Sequence, residues 1–268
     1  TRVAGPPEGE LVMLLHGFPQ SSACWTQALE TLADAGYRAV APDQRGYSPG
    51  ACPEGVEGYR MSALVADVMR IAEALGHRRF HVVGHDWGAT VAWSLAATRP
   101  ERLASLTALS TPHTAAITLA LRGPVQQAKF AYMWLLQTPW IGEASLTLGG
   151  GAVGRFVIEQ ALVAGGLPQD VAKRDLDALQ AVGVTGPLNW YRALRLRGER
   201  VPVDEVSVPT LFVWGSRDAT MSRQAAEATE EFVTGEYHFV DLEGANHWIP
   251  DLYWDDIADL VLEHIAGG

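Results

Sequence analysis

The chain has 268 residues, of which 48% are hydrophobic and 19% are charged, and this composition excludes a disordered chain. Its length allows one large domain or two small ones, with a core that needs no metal or disulfide for stability. The formal net charge of −11 argues against nucleic acid or an anionic membrane as a partner, because both attract a basic surface.

Short apolar runs alternate with longer helical patterns along the chain. The apolar runs predict strands at 11–15, 38–41, 80–83, 103–109, 210–214 and 238–241. Helices are predicted at 25–35, at 61–75 with Ser62 as its N-terminal cap, from the GHDWGA segment to about residue 98, at 223–232 and at 255–264. Strands of this kind are typical of a parallel sheet that is buried on both faces. We therefore predict a doubly wound, mostly parallel α/β fold.

The alternation stops between residues 111 and 206. This stretch is rich in Trp and Gly, has helical patterns and contains no convincing strand. We predict that residues 1–110 and 207–268 form the α/β core. Residues 111–206, the helical insertion, are predicted to form a cap over the C-terminal edge of the sheet.

The cysteine content and the N-terminus bear on the compartment. Cys24 and Cys52 are the only cysteines, and neither belongs to a metal-binding spacing. No apolar run is long enough to cross a membrane, and the first residues do not resemble a signal peptide. We expect two reduced thiols, a cytoplasmic location, and no metal or organic cofactor.

The segment Gly84-His85-Asp86-Trp87-Gly88 lies between a predicted strand and a predicted helix. It has the G-x-nucleophile-x-G form of a nucleophile elbow, in which a tight turn requires small residues two positions either side of the nucleophile. Asp86 stands where serine is usual, and the helix dipole favours its ionised form. Taken alone, the motif favours Asp86 as a simple N-terminal cap of the helix, which is a common use of Asp.

Two further residues lie at predicted strand ends. Asp218 follows the strand at 210–214, and His247 follows the strand at 238–241. Open α/β sheets place their chemistry at the carboxyl ends of their strands. Because Asp218 can orient His247 and stabilise its imidazolium, the two residues and Asp86 are predicted to form a catalytic triad.

The first predicted strand is followed by His16-Gly17-Phe18-Pro19. We expect this turn to aim the backbone N–H of Phe18 at the cleft, opposite the backbone N–H of Trp87. The two groups would then stabilise the oxyanion that forms when an ester is attacked.

Together, HGFP, GHDWGA, the Asp218 turn and GANHW resemble the α/β-hydrolase fold, and specifically its epoxide hydrolase branch, from about residue 11 to the C-terminus. Two segments of the helical insertion resemble those that carry the paired tyrosines of soluble epoxide hydrolases, namely Phe130-Ala-Tyr132 with Gln137-Thr-Pro139, and Asn189-Trp190-Tyr191-Arg192. The resemblance implies that Tyr132 and Tyr191 donate protons to an epoxide oxygen. It also leads us to expect that part of the family's first antiparallel strands is absent.

The resemblance implies hydrolysis of an epoxide to a vicinal diol through an ester on Asp86. We expect a small apolar substrate that contacts Trp25, Trp134 and Trp190. A haloalkane dehalogenase remains the main alternative, since it uses the same triad, although Phe18 lacks the side-chain donor often found there for a halide. A non-catalytic binding protein with this fold is the second alternative, and the oligomeric state stays open.

Overall fold

The computed structural model describes residues 1–140, 143–144 and 151–268. Its centre is a seven-stranded sheet with the order β1-β3-β2-β4-β5-β6-β7. Only β1 runs antiparallel to its neighbour, β3, so the prediction of a doubly wound, mostly parallel sheet is confirmed. The strands are β1 (Arg2–Ala4), β2 (Leu11–Leu15), β3 (Arg38–Ala41), β4 (Phe80–His85), β5 (Leu103–Leu109), β6 (Thr210–Gly215) and β7 (Tyr237–Leu242).

Helices cover both faces of the sheet, and further helices lie in the described part of the segment between β5 and β6. In chain order they are α1 (Thr26–Asp34), α2 (Met61–Ala74), α3 (Trp87–Thr98), α4 (Thr114–Ala120), α5 (Pro124–Lys129), α6 (Ala131–Gln137), α7 (Ala152–Ala164), α8 (Gln169–Val182), α9 (Thr185–Ala193), α10 (Arg223–Glu227), α11 (Ile249–Leu252) and α12 (Trp254–Ala266). Within the described ranges, no helix has the length and apolar character needed to cross a membrane.

Strand β2 shows why the apolar runs of the sequence are unbroken. Successive side chains of a strand point to opposite faces. Leu11, Met13 and Leu15 therefore pack in the core beneath α2 and α3, whereas Val12 and Leu14 pack in the core beneath α1 and α12. All five side chains are fully buried, so every position of the strand must be apolar.

Six described helices, α4 to α9, follow β5 and precede β6. They account for the helical patterns of residues 111–206, and the described part of this stretch contains no β-strand. Residues 141–142 and 145–150 of the predicted insertion lie outside the described residues.

The start of α2 differs from the prediction. The helix begins at Met61 with Arg60 at the N-cap, so Ser62 lies inside the first turn and caps nothing. Glu199, from the far end of the helical insertion, replaces the expected cap. Its carboxylate accepts the Met61 N–H at 2.8 Å and pairs with Arg60 at 2.8 Å. A cap that comes from 138 residues away leaves no local sequence pattern.

Two smaller differences concern the edges of the fold. Strand β1 was not predicted, because its three residues are exposed or half-buried and carry no apolar pattern. It forms one antiparallel edge strand beside β3. The predicted helix at 223–232 is divided into α10 and a short 3₁₀ turn, Ala228–Phe232.

Candidate active site

Asp86 occupies the sharp turn between β4 and α3. Its backbone has φ 52° and ψ −120°, a region that non-glycine residues rarely adopt. The turn requires both flanking glycines, because a Cβ on Gly84 would lie 2.5 Å from the Gly88 carbonyl oxygen and a Cβ on Gly88 would overlap the Leu15 carbonyl. The elbow geometry that the sequence predicted is therefore present.

The carboxylate of Asp86 is buried and held by the HGFP turn. Its Oδ1 accepts the backbone N–H of Phe18 at 2.9 Å. A Cβ on Gly17 would overlap this carboxylate, so glycine is required there as well. Trp87 is the first residue of α3, and its backbone N–H has no acceptor within the helix. The predicted oxyanion donor Phe18 thus already contacts one oxygen of Asp86.

His247 lies between Asp86 and Asp218. Its Nδ1 donates to Asp218 Oδ2 at 2.8 Å, and its Nε2 lies 3.5 Å from Asp86 Oδ2. Asp218 follows β6, and its Oδ1 accepts the backbone N–H groups of Thr220 at 2.6 Å and Met221 at 2.8 Å. The three residues that the sequence predicted as a triad are therefore adjacent at the carboxyl edge of the sheet.

The charges of this cluster support one another. Burial alone would lower the pKa of His247, but the charges and hydrogen bonds of Asp218 and Asp86 outweigh it and raise that pKa to about 10. Burial opposes ionisation of Asp86, yet the hydrogen bond and charge of His247 hold the Asp86 pKa below its usual value. Burial likewise opposes ionisation of Asp218, but the charge and hydrogen bond of His247 hold the Asp218 pKa below its usual value. Both carboxylates are ionised at neutral pH.

This arrangement predicts how stability depends on pH. The pKa of His247 is raised in the fold from 6.5 to about 10, so its stabilising contribution is complete below pH 6.5 and is lost as the pH rises towards 10. Urea unfolding of the wild type and of His247→Gln at pH 7 and pH 10 measures this contribution of His247 to the free energy of unfolding. We expect the gap between their unfolding free energies to narrow by more than about 1 kcal/mol, since each pKa unit is worth about 1.4 kcal/mol. A difference in unfolding free energy that is the same at both pH values would contradict the raised pKa of His247.

The backbone of His247 is held by two residues that the sequence analysis did not single out. Ser110 Oγ donates to the His247 carbonyl at 2.7 Å, and His85 Nε2 contacts the same oxygen at 2.8 Å. The hydroxyl of Thr220 donates to Asp218 Oδ1 at 2.8 Å and lies 2.9 Å from His247 Nδ1. His85 ends β4 and Ser110 directly follows β5, so their position at strand ends was the available signal.

Tyr132 on α6 and Tyr191 on α9 line the same cavity as Asp86. Tyr191 is 2% exposed, and its ring packs edge-on against Phe18 and Trp87. Burial raises the pKa of both phenols, and the charge of Asp86 raises each further. Although 39% of the Tyr132 surface is accessible, its hydroxyl is buried and lies close enough to Asp86 and Asp218 for their charges to raise its pKa. Both phenols are therefore protonated donors.

The cavity has a volume of about 350 Å³. Apart from Asp86 and the tyrosines, its wall is mainly apolar, with a few threonines and one glutamine. The predicted substrate contact Trp134 is part of this wall. The apolar side chains are Trp87, Ile117, Leu121, Phe130, Met133, Trp134, Leu194, Val201 and Met221.

Two predicted substrate contacts are wrong. Trp25 is fully buried in the core beneath α1 and α12, where it packs against Trp254 and does not reach the cavity. Trp190 is 2% exposed and lies behind the cavity wall, where it packs against Trp87 and donates its indole N–H to the Arg45 carbonyl. Aromatic residues near a motif are indistinguishable in sequence from those that fill the core.

Comparison with known proteins agrees with this geometry. The model of the alpha/beta hydrolase fold family matches residues 10–145. The AB hydrolase superfamily protein YfhM of Bacillus subtilis is 35% identical, over 98% of this chain and 92% of its own length. Epoxide hydrolase A of Mycobacterium tuberculosis is 32% identical over the same shares. The chain belongs to the epoxide hydrolase branch of the α/β-hydrolase family.

A solved structure extends the comparison from the sequence to the fold. A mutant epoxide hydrolase from Bacillus megaterium, complexed with its naphthyloxy-propane-diol product, is 25% identical to the chain with a TM-score of 0.86. The match covers 99% of this chain and 95% of the other. The family resemblance read from HGFP, GHDWGA and GANHW is confirmed.

Proposed function

We propose that the protein is an epoxide hydrolase that adds water to an epoxide and releases a vicinal diol. One observation carries the proposal: an ionised carboxylate on a nucleophile elbow shares an apolar cavity with two protonated phenols. Asp86 supplies the nucleophile, and Tyr132 and Tyr191 supply the donors that a departing ring oxygen needs. His247 lies 3.5 Å from the nucleophile, and Asp218 contacts the opposite nitrogen of its ring at 2.8 Å.

In the first step Asp86 attacks an epoxide carbon. Oδ1 is occupied by the Phe18 N–H, so Oδ2 forms the new bond to carbon. The ring C–O bond breaks, and its electron pair stays on the oxygen, which takes a proton from Tyr132 or Tyr191. The product is an alkyl-enzyme ester on Asp86. Esterification removes the charge of Asp86, so the pKa of His247 falls, and the basic phenolate takes the proton that His247 gives up.

In the second step neutral His247 takes a proton from water, and the water oxygen bonds to the Asp86 carboxyl carbon. The charge that develops on Oδ1 is stabilised by the N–H groups of Phe18 and Trp87. When the intermediate collapses, the bond from the carboxyl carbon to Oδ2 breaks, and the diol leaves with Oδ2 and the proton held by His247. The remaining carboxyl proton returns to His247, which restores the starting state.

The cavity wall favours an apolar epoxide. Its aromatic and aliphatic residues, Trp134 among them, suit an aryl or alkyl substituent, and the naphthyl product held by the Bacillus megaterium enzyme supports this class.

We propose that residues 111–206 work as a cap that carries both phenols over the nucleophile. The free thiols of Cys24 and Cys52 support the expected cytoplasmic location.

A single-turnover experiment in water labelled with heavy oxygen tests the proposal. With enzyme in excess over styrene oxide, we expect the label in the Asp86 side chain and an unlabelled diol, because the carboxylate oxygen leaves with the product. Label in the diol instead would mean direct attack by water and would refute the ester mechanism.

A chloroalkane tested in parallel separates the alternatives. We expect no halide release from this substrate. Halide release without epoxide turnover would identify a haloalkane dehalogenase, and an absence of turnover with both substrates would identify a binding protein.

A further inference from the structure

Helix α5 reaches from the helical insertion to the loop that carries Asp218. Gln126 on this helix is 1% exposed. Its amide nitrogen donates to the Thr220 carbonyl at 2.9 Å, and its amide oxygen accepts the Ser222 N–H at 2.9 Å. Lys129, one turn later, donates from Nζ to the Asp218 carbonyl at 2.6 Å. The acid loop, residues 218–222, is therefore bound at three backbone groups by one helix.

These contacts matter because the acid loop sets the direction of the Asp218 carboxylate. Its Oδ1 is held inside the loop by the N–H groups of Thr220 and Met221, which leaves Oδ2 for His247 at 2.8 Å. Hydrogen bonds weaken steeply as their geometry worsens. A shift of the loop would therefore weaken the Asp218–His247 pair before it disturbed Asp86, which lies on a different turn of the sheet edge.

We propose that Gln126 is a positioning residue for the catalytic acid, through which the helical insertion orients the Asp218–His247 pair. The inference rests on the proposed two-step hydrolysis. Asp86 attacks carbon without a proton acceptor, whereas the attack of water on the ester needs His247 oriented by Asp218. Loss of the Gln126 amide should therefore slow ester hydrolysis and spare ester formation.

The chain offers a matched control for this test. Gln127 is the next residue of α5 and is exposed, and its side-chain amide donates to the Leu121 carbonyl within the insertion. Formation and decay of the ester are followed in the full chain by rapid quench and mass analysis with styrene oxide. In Gln126→Ala two buried hydrogen bonds to the acid loop are lost, and we expect ester decay to fall about 10-fold with ester formation at the wild-type rate. Gln127→Ala should match the wild type in both steps.

Two further measurements distinguish positioning from general damage. Gln126→Met keeps the length of the side chain and loses both hydrogen bonds, so its decay rate should match that of Gln126→Ala. The pH midpoint of ester decay should move down in Gln126→Ala, because a weaker Asp218 contact raises the pKa of His247 less. If Gln126→Ala does not fold, Lys129→Met removes the third contact and carries the same expectations.

The outcomes separate the two proposals. Equal decay rates in Gln126→Ala and Gln127→Ala, or an equal loss in formation and decay, overturn the positioning role while the epoxide hydrolase proposal stands. A wild-type enzyme that forms no ester with an epoxide overturns both. Slower ester decay with a lowered pH midpoint and normal ester formation in Gln126→Ala supports both the positioning role and the epoxide hydrolase proposal.

Discussion

Replacing His247 with Gln should leave the enzyme stalled as a covalent ester on Asp86. Glutamine fills a similar space but cannot accept a proton from water at neutral pH. The nucleophile itself stays intact, because Phe18 still bonds Asp86 Oδ1. We expect ester formation to continue while its hydrolysis falls by about 10²–10⁴-fold, the usual value of general-base help. Mass analysis of the Asp86 peptide after one turnover measures both rates.

His238→Gln provides the matched control. His238 is an exposed residue of β7 that contacts Glu236 at 3.3 Å, so this change should leave both steps at the wild-type rate. A His247→Gln enzyme that turns over without an adduct would contradict the covalent mechanism. An enzyme that forms no adduct would show that His247 is needed before the ester exists.

Replacing Tyr132 and Tyr191 together with Phe should block the step before the ester. Neither hydroxyl would then donate to the ring oxygen, which must leave carrying negative charge in an apolar cavity. Loss of such a donor typically costs about 10²–10³-fold in rate, and we expect at least that loss for the double variant. The measurement is the rate of ester formation with excess enzyme, which this pair should control and His247 should not.

The single variants and a remote tyrosine define the limits of this result. Each single Phe variant keeps one donor and should lose less activity than the double variant. Tyr37→Phe removes a phenol that packs against His81 on the other side of the sheet, and should have no effect on either step. Normal ester formation in the double variant would show that the phenols do not assist the departing oxygen.

The sequence predicted the parts of this protein that local pattern determines. Unbroken apolar runs locate the central strands, because their side chains are buried on both faces of the sheet. The spacing of glycines around Asp86 predicts the elbow, because the backbone there leaves no room for a Cβ. Asp218 and His247 follow strands, and parallel strands bring such residues to one edge.

What the sequence could not predict depends on contacts between distant residues. Trp25 and Trp190 have the same chemistry as Trp134, and only the packing decides which of the three faces the cavity. The cap of α2 was misassigned to Ser62 because its true partner, Glu199, is remote in sequence. Ser110 directly follows a strand, but residue spacing does not show that its hydroxyl bonds the backbone carbonyl of His247.

The carboxylate of Glu199 has a consequence for exchanging parts between relatives. It belongs to the helical insertion, yet it completes the first turn of a helix in the α/β core. The first turn of α2 therefore depends on a side chain from the helical insertion. A chimera that receives the corresponding stretch from another family member should fold well only if that stretch brings an acidic side chain to the same place, or if Arg60 and Met61 are exchanged with it.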